Sequence, residues 1–155
     1  MAEDEEGNSY DFLKAEDRQR VRDRVLRDEP FIVIGAPCCR DYCDLNVNVN
    51  HPKMTPAERR RREVKREVLL RFAVEIYVMQ LAAGRHFLHE HPHSATSWQM
   101  PEMVQMMMMN DVECVTCDMC AYGLTIVDPN GKAPAQKHTR LMSNAPEVLK
   151  RVSKK

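Results

Sequence analysis

Phe31-Ile-Val-Ile-Gly-Ala-Pro-Cys-Cys39 is the stretch on which the reading of the fold turns. Four consecutive apolar residues, three of them β-branched, run without polar alternation. Such a run suits a strand buried on both faces, as in a parallel sheet. Gly35-Ala-Pro37 breaks it and presents two thiols, Cys38 and Cys39, at its carboxyl end. Upstream, Pro30 closes a helix expected over 14–28, where Val21, Val25 and Leu26 mark an apolar stripe among charges.

Downstream, the clearest punctuation is Thr55-Pro-Ala-Glu58. The threonine caps a helix, the proline suits its first turn, and the glutamate completes a capping box. The helix should run to about Ala83 and stop at Gly84. Its charged first half belongs in solvent and its apolar second half in a core, with Glu67, Arg71 and Glu75 sharing one face. His86-Phe-Leu-His-Glu90 follows as a short strand closed by Pro92. Strand, long helix and strand make a βαβ unit with parallel strands and a right-handed crossover. Further on, Met100–Met109 reads as a helix, 112–116 and 122–127 as strands, Asp128-Pro-Asn-Gly131 as a turn, and 145–152 as a short helix. The expected fold is α/β: a Rossmann-like, doubly wound parallel sheet with flanking helices. In such sheets ligands bind beyond the carboxyl ends of the strands. Pro37, Cys38 and Cys39 fall at the first such end and Glu90 at the second. They read either as a site or as a tight turn with a capping carboxylate.

The chain of 155 residues has room for one domain, and 43% hydrophobic with 30% charged residues is a globular balance. Residues 1–11 read as a disordered acidic arm, 12–152 as the domain, and 153–155 as a basic tail. Lysine plus arginine and aspartate plus glutamate both number 23, so no bulk charge draws the protein to nucleic acid or an anionic membrane. No stretch approaches the roughly 20 apolar residues of a membrane span, and the acidic start at Glu3–Glu6 is unlike a secretory signal. A nuclear or cytoplasmic setting with reduced thiols is the expectation.

A strand ending in Pro-Cys, a long helix, and a strand ending in a glutamate resemble the order found in cytosine-5 DNA methyltransferases. More closely, the chain resembles a methyltransferase-like segment in polyproteins of copia-type retrotransposons from protists. The matching stretches are Ile34–Cys39, Gly84–Pro92 with Ala95–Trp98, Asp118–Gly123 and Thr139–Pro146. The resemblance implies an incomplete class I methyltransferase-type fold, with DNA as partner and S-adenosylmethionine as methyl donor. It implies that Cys39 is a nucleophile adding to carbon-6 of a flipped cytosine, which makes carbon-5 nucleophilic. Glu90 would hydrogen-bond the pyrimidine edge, Pro37 would shape the substrate loop, and Arg59 and Arg60 would contact phosphates. Cys38 takes the nucleophile role if the register slips by one, and His91 stands where asparagine is usual. No glycine-rich loop after a strand precedes residue 30, so the cofactor-binding half is missing. The expectation is a partial or decayed domain, either a segment of a polyprotein or an inactive copy. A partner chain, or the rest of the polyprotein, would cover the missing sheet edge.

The alternative is a non-catalytic interaction module whose cysteines serve packing or hold zinc. Cys114-x-x-Cys117-x-x-Cys120 has the spacing of zinc and iron–sulfur ligands, with Cys43, Cys38 or a histidine as the fourth. In a strand, however, Cys114 and Cys117 point to opposite faces. His89, His91 and His93 would share a face if Pro92 did not interrupt them, which favours a loop around Glu90. Met106–Met109 point in four directions on a helix and read as adaptable packing. The basic block Arg59–Arg62 reads as a solvated first turn or as a phosphate contact, at some cost against the helix dipole.

Overall fold

The computed structural model describes residues 7, 9–43, 46–129 and 131–153. The acidic start at Glu3–Glu6 and the tail residues Lys154 and Lys155 lie outside them, as does Asn130 of the expected turn. Helix α1 (Ala15–Asp28) ends at Glu29, which adopts φ 44° in the left-handed region. Strand β1 (Ile32–Gly35) follows. Helix α2 (Pro56–Ala82) starts on a complete capping box: Glu58 N–H donates to the Thr55 hydroxyl at 3.2 Å, and the Thr55 N–H donates to the Glu58 carboxylate at 3.0 Å. Gly84 at φ +66° ends it. Then come β2 (His86–Pro92), α3 (Pro101–Met107), β3 (Glu113–Asp118), β4 (Thr125–Asp128), β5 (Gly131–Pro134), β6 (His138–Ser143) and α4 (Pro146–Val152).

Four strands form one sheet in the order β1-β2-β6-β3, and β4 with β5 form a separate hairpin. The βαβ unit is as read: β1 and β2 are parallel, with Ile34 beside Leu88. The remainder of the parallel sheet is not, because β6 runs antiparallel between β2 and β3. The fold is therefore mixed α/β with flanking helices rather than a doubly wound parallel sheet. Among the described residues β1 also lies at the edge, paired on one side only, and one of its faces is open to solvent. Phe31 and Ile34 are 72% and 69% exposed, while Val33 packs inward. A continuous apolar run is ambiguous between a central strand and an edge strand that covers a core with one face.

The β2 pleat organises the two faces. Phe87, His89 and His91 point toward α2 and are buried; Leu88 and Glu90 point the other way and are half-buried. The expected loop around Glu90 is thus regular strand, and Pro92 merely closes it, where a missing N–H costs least. Under α2 the main core gathers Leu70, Val74, Tyr77, Phe87, Trp98, Met103 and Met142. Val25 of α1 packs against Phe72 and Ile76 on the far side of α2. On the opposite sheet face, α4 covers Cys117 and Leu141 with Leu149. The methionine run behaves as adaptable packing: Met106 is buried, whereas Met108 is 78% exposed. The strand expected over 122–127 begins only at Thr125, because Met119–Tyr122 wind into a 3₁₀ turn.

Candidate functional site

The carboxyl ends of β1 and β2 bring Gly35–Cys39 and Glu90–Pro92 to one edge of the sheet. Because β6 is antiparallel, its first residues arrive at the same edge, where β3 ends. Glu90 lies beside Leu141 on the face away from α2. Its carboxylate meets the Lys137 ammonium at 3.4 Å, both partly exposed. Cys39 is half-buried here. Burial pushes its thiol up, the nearby Glu90 charge pushes it further, and Lys137 pulls it back. Cys117 is raised by burial, then by Asp118 and Glu90, again opposed by Lys137. The His138 Nδ1 approaches the Asp118 carboxylate at 2.5 Å on the rim. Cys39 and Cys117 therefore share the fields of the Glu90 carboxylate and the Lys137 ammonium, with Asp118 acting on Cys117 as well.

The Pro-Cys loop is held from beneath. The Pro37 carbonyl can only accept, so His91 Nε2 donates to it at 2.8 Å. That fixes the tautomer, and His91 Nδ1 accepts from the Ser97 hydroxyl at 2.6 Å. Burial lowers the affinity of His91 for a proton, with Pro37 and Glu90 opposing that shift. Next along the strand, Tyr77 and His89 Nδ1 share a hydrogen bond of 2.9 Å, and His89 Nε2 is buried without a partner. Burial, with some repulsion from His91, pushes His89 down to about 3. Gly35 is required where the loop leaves β1, since a Cβ there would sit 1.9 Å from the Tyr77 hydroxyl. Cys38 is exposed and Cys39 half-buried. Cys39, like Cys117, responds to the Glu90 charge.

Arg59 and Arg60 do not join this cluster. Arg59 donates to the His51 carbonyl at 2.9 Å, and Arg60, an outward-facing residue, lies 3.8 Å from Glu63. Nor do the cysteines of 114–120 come together. Cys114 is exposed beside Met142, Cys117 is buried beside Thr139 on the other face, and Cys120 sits in the following turn. No set of three or more His, Cys, Asp or Glu side chains that could hold a metal occurs among the described residues. His89 and His91 do share a face, but that face is the core, and His93 contacts Thr116 instead. Among the described residues only α1 and the short stretch before it precede β1, with no glycine-rich strand–helix turn to cradle S-adenosylmethionine.

Lys137 and the clamping role of His91 were not singled out in the sequence, and Cys117 was read there as packing or a metal ligand rather than as a member of this cluster. The signal for Lys137 would have been recognition of β6, whose alternation His138-Thr-Arg-Leu-Met-Ser143 is legible once its partners are known. No family model, no curated protein and no solved structure matches the chain. Fold and site together define a mixed α/β domain with a thiol–carboxylate–ammonium cluster at one sheet edge. No helix among the described residues is long and apolar enough to cross a membrane.

Proposed function

We propose that the cluster is a pyrimidine-binding, thiol-addition site of the cytosine-5 DNA methyltransferase kind, carried by a partial or decayed domain of retroelement origin. The observation that carries this reading is the placement of Cys39 and Glu90 at the carboxyl ends of two adjacent parallel strands, where burial and then the Glu90 charge raise the Cys39 thiol. The antiparallel β6 between β2 and β3 supports it too, being compatible with an incomplete methyltransferase-type sheet. In this reading Glu90 holds the pyrimidine edge of a flipped base. When that contact neutralises the carboxylate, the force holding the Cys39 proton weakens, and the thiolate adds to carbon-6. With the site empty, Cys39 stays protonated and inert.

The test uses single-stranded DNA bearing 5-azacytosine, whose ring nitrogen at position 5 makes carbon-6 electrophilic without a methyl donor. A carbon–sulfur bond forms, and the thiol proton ends on that nitrogen. Mass spectrometry of the full chain should show one DNA adduct, lost in Cys39→Ser and kept in Cys38→Ser. No adduct, or one that persists in Cys39→Ser, removes the reading.

A second reading rests on β1 having no partner on its outer side among the described residues, with Phe31 and Ile34 exposed beside it. There the domain is an interaction module, and a strand from the rest of a polyprotein or from a partner chain adds to β1. Adducts would then be absent, and Ile34→Lys would abolish association with that partner.

A further inference from the structure

The basic half of α2 builds a second site. Arg59 donates to the carbonyl of His51 at 2.9 Å, and Arg66 donates to the carbonyl of Asp41 while its guanidinium lies 4.8 Å from the centre of the Tyr42 ring. These bonds staple the segment after the Pro-Cys loop onto the helix and leave a cavity of about 460 Å³ between them. His51, Arg59, Arg66, Thr96 and Glu63 line it, with Val47 and Pro52 as apolar wall. His51 is only 7% exposed, yet its Nε2 has no hydrogen-bond partner. The nearest carboxylate oxygen, on Asp41, is 3.7 Å away and already engaged by Arg62 at 3.2 Å. Arg59 and Arg66 each leave a buried Nε–H unpaired as well. Buried donors without partners are costly and uncommon. Two guanidinium Nε–H donors and one imidazole nitrogen, all without partners and on side chains that line one cavity, point to an acceptor-rich guest.

We propose that this cavity binds the phosphate group of a phosphate ester, with Arg59 and Arg66 as the charged donors and His51 and Thr96 completing the contacts. Guanidinium is the side chain best matched to phosphate oxygens. The volume exceeds what a lone anion needs and falls within the usual range for small-ligand sites, so the remainder of a nucleotide-sized molecule rests against Val47 and Pro52. Glu63 opposes the anion from the wall, and its nearest cation is the exposed Arg60 at 3.8 Å. The site is independent of the thiol chemistry: Cys39→Ser leaves it intact, and loss of phosphate binding leaves the adduct test untouched.

Calorimetric titration of the full chain at low salt with inorganic phosphate, cytidine 5′-monophosphate and cytidine tests this. Both phosphates should bind and cytidine should not. Arg59→Gln and Arg66→Gln should each weaken binding about tenfold, the usual scale for a charge-assisted hydrogen bond, whereas Arg60→Gln changes little. Arg66 also holds the loop, so the deciding variant is Glu63→Gln, which touches no core contact and should tighten binding several-fold. A single-stranded oligonucleotide distinguishes the phosphate source: competition with the monophosphate assigns nucleic-acid backbone, and none assigns free nucleotide. Cytidine binding as tightly as its monophosphate, no phosphate binding in the native chain, or equal affinity in Arg59→Gln and Glu63→Gln overturns the proposal.

Discussion

The two faces of β2 differ in what they do with polar side chains. Toward α2, His89 and His91 are fully buried, locked by Tyr77, Ser97 and the Pro37 carbonyl, and kept neutral by burial. On the other face, Glu90 stays partly in solvent beside Lys137 and biases the half-buried Cys39 thiol. One residue of alternation separates a scaffold from a candidate reactive cluster. Polar groups held by partners inside the core serve structure; polar groups coupled across an open rim can respond to a ligand. His91 holds the loop through the Pro37 carbonyl from below and leaves Cys38 exposed and Cys39 half-buried.

The most damaging way to break this division is to remove the clamp. His91→Ala deletes two hydrogen bonds and opens a hole beside Tyr42 and Trp98. Urea unfolding should show a loss of about 3 kcal/mol, and Cys39 in the native protein should alkylate faster because its loop is released. Unchanged alkylation would mean that the two faces act independently. Gly35→Ala attacks the same junction more mildly. Its new methyl must displace the Tyr77 ring, which is fixed in the core and bonded to His89, so about 2 kcal/mol should be lost.

The buried face should also carry a pH signature. His89 is held down to about 3 and His91 is lowered as well, while an unfolded histidine titrates near 6.5. Below that value the unfolded chain takes up a proton that the folded imidazoles refuse. Stability is therefore fully present above about pH 6.5 and declines as pH falls toward the folded values. Between pH 7.5 and 5.5, His89 alone should cost about 1.4 kcal/mol, with His91 adding to it. Denaturation midpoints at the two pH values measure this, and His89→Gln should flatten the profile.

Much of this arrangement is legible in the sequence. The capping box at Thr55, the glycine stop at Gly84 and the βαβ order follow from local chemistry that acts within a few residues. What was hidden depends on partners far apart in the chain. Nothing local tells Phe31–Ile34 that it is an edge, because edge or centre is decided by where β6 goes. β6 itself reads as an unremarkable polar–apolar stretch, and with it went Lys137, whose approach to Glu90 spans 47 residues. For the same reason the histidines of β2 read as ligands or loop, when their partners are Tyr77, Ser97 and a carbonyl contributed by a distant turn.

The smallest expected change in stability belongs to the open face, and it is the most informative about function. Glu90→Gln removes a partly exposed charge whose ion pair contributes little to folding, so unfolding should shift by no more than about 0.5 kcal/mol. The Cys39 thiol should respond nevertheless. Burial would still raise it, but the Glu90 repulsion would be gone while the Lys137 attraction remained. The pH profile of iodoacetamide alkylation should therefore move to lower pH. Lys137→Met should move it to higher pH, since only the opposing charge is then lost. Opposite shifts in two variants of nearly equal stability would mark the rim as a coupled site, sensitive to whatever neutralises Glu90. Superimposable profiles would make Glu90 a surface carboxylate, and the open face of β2 would then carry no more chemistry than the closed one.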